Sequence, residues 1–359
     1  DIYNFLLKIK KLLKSEGKIL ITSINPKWNL FLKFFEKLKL KNDSSRRNYI
    51  NPKKINYIAK STGLELIQSN SRQIFPFKFF GIGNIINKIL EITLSSFGLG
   101  IQVYSLLRNV DTVQNTFKKS IVVPAKNEEG NLEELINRIP KFENSKNEVV
   151  IICGQSKDDT LKKAKELITK RNDLNINVLE QQSNGKANAV FEAFEHCNGD
   201  LIAILDSDLS VDPETLSDFF EIIENGTADF VNGTRLIYGK EKGSMQFLNN
   251  IGNLVFQFLI SFVIKQKLTD SLCGTKVFKR SYLEHLYRWR NSKTVKDPFG
   301  DFDFIFSAAF SGQKILEYPV HYRSRKYGKT QISRFKDGWK LLFYFLSSFV
   351  KFNSTNNES

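Results

Sequence analysis

Asp206 and Asp208 stand one residue apart at the end of an apolar run, in ILDSDLSVDP (204–213). In an extended segment, residues two apart point the same way. Two such carboxylates can share one hard divalent ion, Mg2+ or Mn2+, which takes few protein carboxylates and completes its shell with phosphate oxygens and water. A departing diphosphate needs that positive charge in the transition state. The same letters also suit a capped turn between strand and helix, with Asp212 as the cap and Pro213 in the first turn. An isolated D-x-D is mostly structural, so the surroundings decide between the two.

Those surroundings repeat the pattern. Pro124-Ala125-Lys126-Asn127-Glu128-Glu129 closes one apolar run and Cys153-Gly154-Gln155-Ser156-Lys157-Asp158 closes a second. Asn184-Gly185-Lys186 follows a third, and Asp206-Ser207-Asp208 a fourth. Each group alone makes an ordinary turn. Together they describe one polar crevice with acids and a lysine, suited to a nucleotide and a metal.

The elements that must position these groups alternate. SIVVPA, EVVIIC, INVLEQ and DLIAILD read as strands, each followed by an amphipathic helix: EEGNLEELINRI, DDTLKKAKELITKR, KANAVFEAFEHC and PETLSDFFEIIEN. Short apolar runs between such helices predict a parallel sheet covered on both faces. Ligands gather beyond the carboxyl ends of its strands. A polar, aperiodic stretch at 109–119 separates this region from an earlier one. There the sequence predicts a helix over 1–14, a strand over 18–24, a helical region near 28–40, a helix over 51–63 with Asn51 as cap and Gly63 as stop, a strand over 64–70, a third helical region and a strand over 101–109.

At 359 residues and 41% hydrophobic content the chain has room for two domains. The formal charge of +15 suits an anionic membrane, a phosphorylated substrate or nucleic acid. No nucleic-acid motif accompanies the lysines, so no nucleic-acid partner is expected. The abundance of Lys, Asn, Ile and Phe also reads as an A·T-rich coding bias. Cys153, Cys197 and Cys273 form no CxxC, and His196, His285 and His321 no ligand spacing, which argues against zinc. Sparse cysteines fit a reducing cytoplasmic setting. The chain starts at Asp1 without a signal peptide, as a piece cut from something longer would. The uncharged stretch 243–264 contains Gln246, Asn249, Asn250, Asn253 and Gln257, costly in lipid, and reads as a buried or interfacial helix. LLFYFLSSFV (341–350), after the basic RSRKYGKTQISRFKDGWK, reads either as a core helix or as an element lying on a membrane surface.

In the order and spacing of IVVPAKNEEGNL, GQSKDDT, NGKANAVFEAF, GDLIAILDSDLSVDPETL, VNGTRLIYG, DSLCGTKVFKR and FGDFDFIFSAAFSGQKILEYPVHYRSRKYG, residues 120–340 resemble glycosyltransferase family 2, particularly its dolichol-phosphate mannosyltransferase-like branch. The resemblance implies an α/β GT-A fold, a Rossmann-like nucleotide-diphospho-sugar transferase sheet. It implies that Pro124, Ala125, Asn127 and Glu128 line the nucleoside pocket with Ser156 and Asp158 in support, and that Lys186 and Ser207 lie near the nucleotide-sugar. Asp206 and Asp208 would hold Mg2+ or Mn2+ on the diphosphate of a GDP- or UDP-sugar. Arg235, Lys276, Arg325 and Lys329 would meet donor or acceptor phosphates, for which the arginine fork is suited. Asp301 or Asp303 would take the acceptor proton in an inverting transfer, a step an ionised lipid phosphate does not need; helix capping is the competing role. Two positions depart from the pattern. Cys153 stands where relatives usually have an acid, and Thr330-Gln331 replaces the usual Ser-Lys, which shifts phosphate contact to Lys329 or Arg334.

Residues 1–110 resemble the C-terminal half of a class I S-adenosylmethionine-dependent methyltransferase, through LKSEGKILITSINPKW and the closing strand IQVYSLLRN. The Gly-rich turn after a first strand that a cofactor site needs is not among them. Gly81-Ile82-Gly83 and Gly98-Leu99-Gly100 follow no suitable strand. No methyltransferase activity is expected, and the domain reading is a truncated methyltransferase-like module (1–110), a linker (111–119), a GT-A domain (120–350) and a disordered tail (351–359). The expected function is metal-dependent sugar transfer to a polyprenyl phosphate or cell-envelope glycan precursor, in the cytoplasm and peripheral at the inner face of its membrane. The alternatives are a nucleotidyltransferase, which would want a Gly-rich basic signature in place of PAKNEEG, and a non-catalytic membrane-associated binding protein.

Overall fold

The structure is a computed structural model that describes residues 2–14, 16–39, 51–75, 77, 81–94, 97–110, 117–142, 147–171, 173–238, 247–324, 327 and 334–354. The chain divides into two units: residues 1–111 with 261–267 and 348–359, and residues 112–260 with 268–347.

In the first unit, α1 (Ile2–Lys10), β1 (Lys18–Ile24), α2 (Asn29–Lys37), α3 (Pro52–Ser61), β2 (Leu64–Arg72), α4 (Ile82–Leu94) and β3 (Gln102–Asn109) follow one another. The three strands lie in the order β1-β3-β2, with β3 antiparallel to both neighbours. The Asn51 side chain accepts the Lys54 N–H at 2.8 Å and Pro52 fills the first position, so α3 begins where its cap predicts. Gly63, at φ +71°, turns the chain from α3 into β2. Leu6, Ile55, Ala59, Leu64 and Leu107 form the core between the helices and the sheet.

The second unit contains β4 (Lys119–Ala125), α5 (Glu129–Arg138), β5 (Asn147–Cys153), α6 (Thr160–Glu166), β6 (Leu174–Glu180), α7 (Lys186–Phe194), β7 (Leu201–Ile204), α8 (Leu216–Glu224), β8 (Phe230–Thr234), β9 (Lys276–Lys279), α10 (Leu283–Asn291), α11 (Asp301–Phe310) and β10 (Ile315–Pro319), together with α9 (Phe247–Ile264) up to residue 260 and α12 (Arg334–Asn353) up to residue 347. Its sheet has the order β10-β8-β9-β7-β4-β5-β6. The four predicted strands are parallel neighbours. Every residue of β5 is buried, as a strand covered on both faces demands.

The sheet is mixed, however. The short β9 inserts antiparallel between β7 and β8. Its sequence, KVFK, reads as too short and too basic for an interior strand, and it is stable there because Lys276 is paired inside the protein. β7 also ends at Ile204, two residues short of Asp206. Leu205 still donates its N–H to Val122 O, but Ser207 and Asp208 form a turn and Leu209 adopts φ +54°. Strand alternation therefore does not pair the two acids; a turn delivers them. Asp212 precedes a single 3-10 turn at Pro213–Thr215 but makes no side-chain cap, because Arg138 and Arg323 hold its carboxylate. α12 continues to Asn353, beyond the expected boundary at 350; residues 355–359 of the expected tail lie outside the described residues. No helix among the described residues is long and apolar enough to cross a membrane.

Candidate active site

The carboxyl ends of β4 and β5 are sewn together by side chains of the predicted nucleoside pocket. Gly154 donates its N–H to Ala125 O at 2.9 Å. The Asn127 N–H donates to Ser156 Oγ (3.0 Å), and Asn127 Oδ1 accepts from the Lys157 N–H (2.7 Å). Asn127 sits at φ +56°, a conformation asparagine tolerates better than most residues. The Glu128 N–H donates to Thr160 Oγ1, and Asp158 accepts from the Glu129 and Thr160 N–H groups. Burial opposes charge on Asp158, but these donors, led by Thr160, hold its carboxyl below the usual range. The oxygens and amides predicted to meet a nucleoside thus first build the loop that would receive it. Pro124 and Ala125 close β4, and Ser207 Oγ donates to Pro124 O (2.8 Å), tying the fourth strand end to the first.

Around Asp206 the charges gather. Gly185, at φ +99°, starts α7, and Lys186 in its first turn lies 2.6 Å from Asp206 Oδ1. Burial works against the ammonium, but Asp206, Asp301 and Asp208 outweigh it and hold Lys186 above the ordinary lysine range. Gly274 packs directly on the same carboxylate. A Cβ there would lie 2.1 Å from Asp206 Oδ2. Two residues on, Lys276 is fully buried, donates to Cys273 O and reaches Asp301 Oδ1 at 2.5 Å. Lys186, Asp206, Gly274, Lys276 and Asp301 therefore form one continuous path, from the start of α7 past the strand ends to the start of α11. Asp208 is buried and accepts the Ser210 N–H at 3.0 Å.

Among the described residues no group of three or more His, Cys, Asp or Glu side chains is arranged to hold a metal. An all-protein cage is not what Asp206 and Asp208 offer. They are hard oxygen donors, and Asp206 already faces a cation in the Lys186 ammonium. That donor set fits a divalent ion that takes one or two carboxylates and receives its other ligands from phosphate and water.

Arg235 lies elsewhere in its interactions. Its guanidinium forks onto the fully buried Asp270, Nε to Oδ2 at 2.6 Å and Nη2 to Oδ1 at 2.8 Å. Burial disfavours the Asp270 anion, yet Arg235 brings its pKa down to about 2. Arg325 and Lys329, the other predicted phosphate contacts, lie outside the described residues, as do Thr330 and Gln331. Asp301 and Asp303 occupy the first turn of α11 and neither is its cap. Asp297 caps it instead, accepting the N–H groups of Phe302 (2.7 Å) and Asp303 (3.2 Å). Asp303 is fully buried, between Arg290 and Tyr344.

Sequence reasoning did not find Gly274, Asp270, Asp297, Arg290 or Tyr344. The Asp297-Pro298 pair carried a turn signal that could have marked a helix entry. Gly274, Arg290 and Tyr344 carry no local signal, because what matters about them is what lies opposite.

The family model described as glycosyl transferase family 2 matches residues 120–287. Dolichol-phosphate mannosyltransferase of Pyrococcus furiosus is 27% identical over 233 residues, 58% of this chain and 64% of that protein. Dolichyl-phosphate hexose transferase of Haloferax volcanii is 27% identical over 219 residues, 61% of this chain and 88% of that protein. Undecaprenyl-phosphate 4-deoxy-4-formamido-L-arabinose transferase of Enterobacter is 25% identical over 224 residues, 62% of this chain and 64% of that protein. The chain thus spans less than two thirds of the first and the last of these. Among solved structures, glucosyl-3-phosphoglycerate synthase of Mycobacterium tuberculosis, in complex with Mn2+, uridine diphosphate and phosphoglyceric acid, superposes with a TM-score of 0.50. It is 18% identical, and the match covers 65% of this chain and 78% of that one. At that identity the likeness is one of fold.

Proposed function

Residues 120–287 belong to glycosyltransferase family 2, with the GT-A fold, and from that premise we propose that the chain transfers a sugar from a nucleotide-sugar to a polyprenyl phosphate or related envelope-glycan acceptor. The observation that carries this reading is the continuous path Lys186–Asp206–Gly274–Lys276–Asp301 at the strand ends.

The loops after β4 and β5 receive the nucleoside, with the Asn127, Glu128, Ser156 and Asp158 bonds fixing their shape in advance. Asp206 and Asp208 would hold Mg2+ or Mn2+, which when bound neutralises the diphosphate leaving group. Lys186 exchanges part of its contact with Asp206 for a diphosphate oxygen as the donor arrives, a charge-assisted bond formed without moving its helix. Asp301 stands across from it and orients the acceptor. Where the acceptor is a hydroxyl it takes the proton; an ionised lipid phosphate attacks without that help. The lipid reading is supported by relatives whose names specify dolichyl or undecaprenyl phosphate. It is also supported by exposed Trp339, Phe343 and Leu346 along α12, which suit a peripheral position at the inner face of the cytoplasmic membrane. We read residues 1–110 as a methyltransferase-like module without methyl transfer. That reading is supported by Gly98–Gly100, which lead into the strand β3 and not into a helix, and by Gly81–Gly83, which open α4 only after a long connection from the end of β2 at Arg72.

A thermal-shift panel of GDP-, UDP- and dTDP-sugars with Mn2+ tests the proposal. The cognate donor raises the melting temperature through linkage, and chelation of the metal abolishes the shift. Asp208→Asn weakens donor binding and lowers transfer by about a hundredfold or more. Unchanged turnover in that variant removes the metal role. The absence of a shift with any sugar nucleotide moves the chain to a non-catalytic binding role.

A further inference from the structure

The two acids of FGDFD are not equivalent. Asp301 faces Lys276 and acts electrostatically on Lys186. Asp303 has both oxygens taken inside the protein: Oδ2 accepts from Arg290 Nη1 at 2.6 Å and Oδ1 from Tyr344 Oη at 2.5 Å. Trp289 Nε1 in turn donates to Tyr344 Oη at 2.8 Å, which fixes the phenol. The second arm of Arg290 goes to a different helix, where Nη2 donates to Asn188 Oδ1 at 2.7 Å. Asn188 Nδ2 donates to Asn184 O at 2.8 Å and so holds the entry into α7. The guanidinium lies over the Phe191 ring at 4.3 Å and is only 13% exposed.

One planar, rigid fork thus spans the first turn of α7, which carries Lys186, and the first turn of α11, which carries Asp301. We propose that Arg290, held by Asp303 and Tyr344, is a positioning residue that sets the donor-phosphate lysine and the acceptor-side acid at a fixed separation. Asp303 is then the anchor of that fork, and Asp301 alone of the pair meets substrate. The inference rests on the transferase reading for the roles of Lys186 and Asp301. The tie between the two helices stands on geometry. Small misplacements of reacting groups cost orders of magnitude in rate, so a strut between two such helices has catalytic consequences without touching substrate.

Arg290→Lys keeps the charge beside Asp303 and removes the fork. In it, and in Asn188→Ala, we expect kcat to fall about tenfold or more, with the KM values for donor and acceptor changing less than kcat. The double variant should lose little beyond either single one, because both break the same link. Hydrogen–deuterium exchange gives a readout independent of activity: Asp303→Asn should speed exchange of the amides in the first turns of α7, a helix on which Asp303 does not lie. Arg290→Lys as active as wild type, or α7 exchange unchanged in Asp303→Asn, overturns the proposal. If Asp303→Asn proves too unstable, the same exchange measured on Arg290→Lys decides. Should the wild-type protein turn over no sugar nucleotide, the transferase reading fails, while the exchange result still decides the tie.

Discussion

Gly274 has no side chain, and Asp206 occupies the space one would take. The glycine is not in a left-handed conformation, so its backbone would accept another residue and the Asp206 carboxylate is what stands in the way; an added Cβ would lie 2.1, 2.6 and 2.8 Å from three carboxylate atoms. Gly274→Ala must therefore displace Asp206 from its present position beside Lys186. We expect a weakening of Mn2+-dependent donor binding by about tenfold, about 1.4 kcal/mol, with a small change in melting temperature. Titration calorimetry with the cognate donor checks this, and wild-type affinity would show that Asp206 does not need its observed place. At this scale the sequence was informative about chemistry and silent about partners. Asp206, Lys186 and Asp301 could be named from motif and resemblance. That Arg235 is committed to Asp270, and Asp303 to Arg290 and Tyr344, could not, because those partners stand between 13 and 41 residues away.

α11 shows how an element is held by a residue outside it. Asp297 accepts the N–H groups of Phe299, Phe302 and Asp303 and replaces a cap that Gly300 cannot supply. Burial, then the nearby Asp303 and Asp301 carboxylates, push its pKa up to about 7, against the pull of those backbone donors. Burial also raises the carboxyl of Asp303, in spite of Tyr344 and Arg290. A carboxyl raised on folding binds its proton more tightly in the native state. Its contribution is complete below the unfolded value of 3.8 and is lost as pH rises through about 7. Across that window the unfolding free energy should fall with rising pH, by at most about 1.4 kcal/mol per pH unit for one such group. Denaturant titrations at pH 4.5, 6 and 7.5 (roughly bracketing the window) should show this slope, flattened in Asp297→Asn. Stability that rises over the same range would contradict it. The four parallel strands and their helices were legible from periodicity. β8, β9 and β10 were not, because FVNGT, KVFK and ILEYP break their apolar residues with polar or charged ones, whereas the equally short LIAI of β7 is apolar throughout.

For the whole molecule the charge of +15 matters more than any single lysine. If the protein works at an anionic membrane, it should co-sediment with vesicles containing acidic lipid, and raising salt from about 0.1 to 1 M, which shortens the Debye length from about 10 to 3 Å, should release most of it. Equal binding to neutral vesicles at both salt concentrations would refute an electrostatic attachment. What the sequence determined by itself was the alternation of strand and helix and the set of polar groups at the strand ends. Both are local, since periodicity and turn chemistry are written in neighbouring residues. The tertiary structure decided which of those groups face one another: that a turn and not strand alternation presents Asp206 and Asp208, that Gly274 makes room for the first, and that of the two acids in FGDFD one meets a lysine of the site and the other is buried in an anchor. These are pairings across the fold, fixed by packing and by the need of each buried charge for a partner, and no local spacing encodes them.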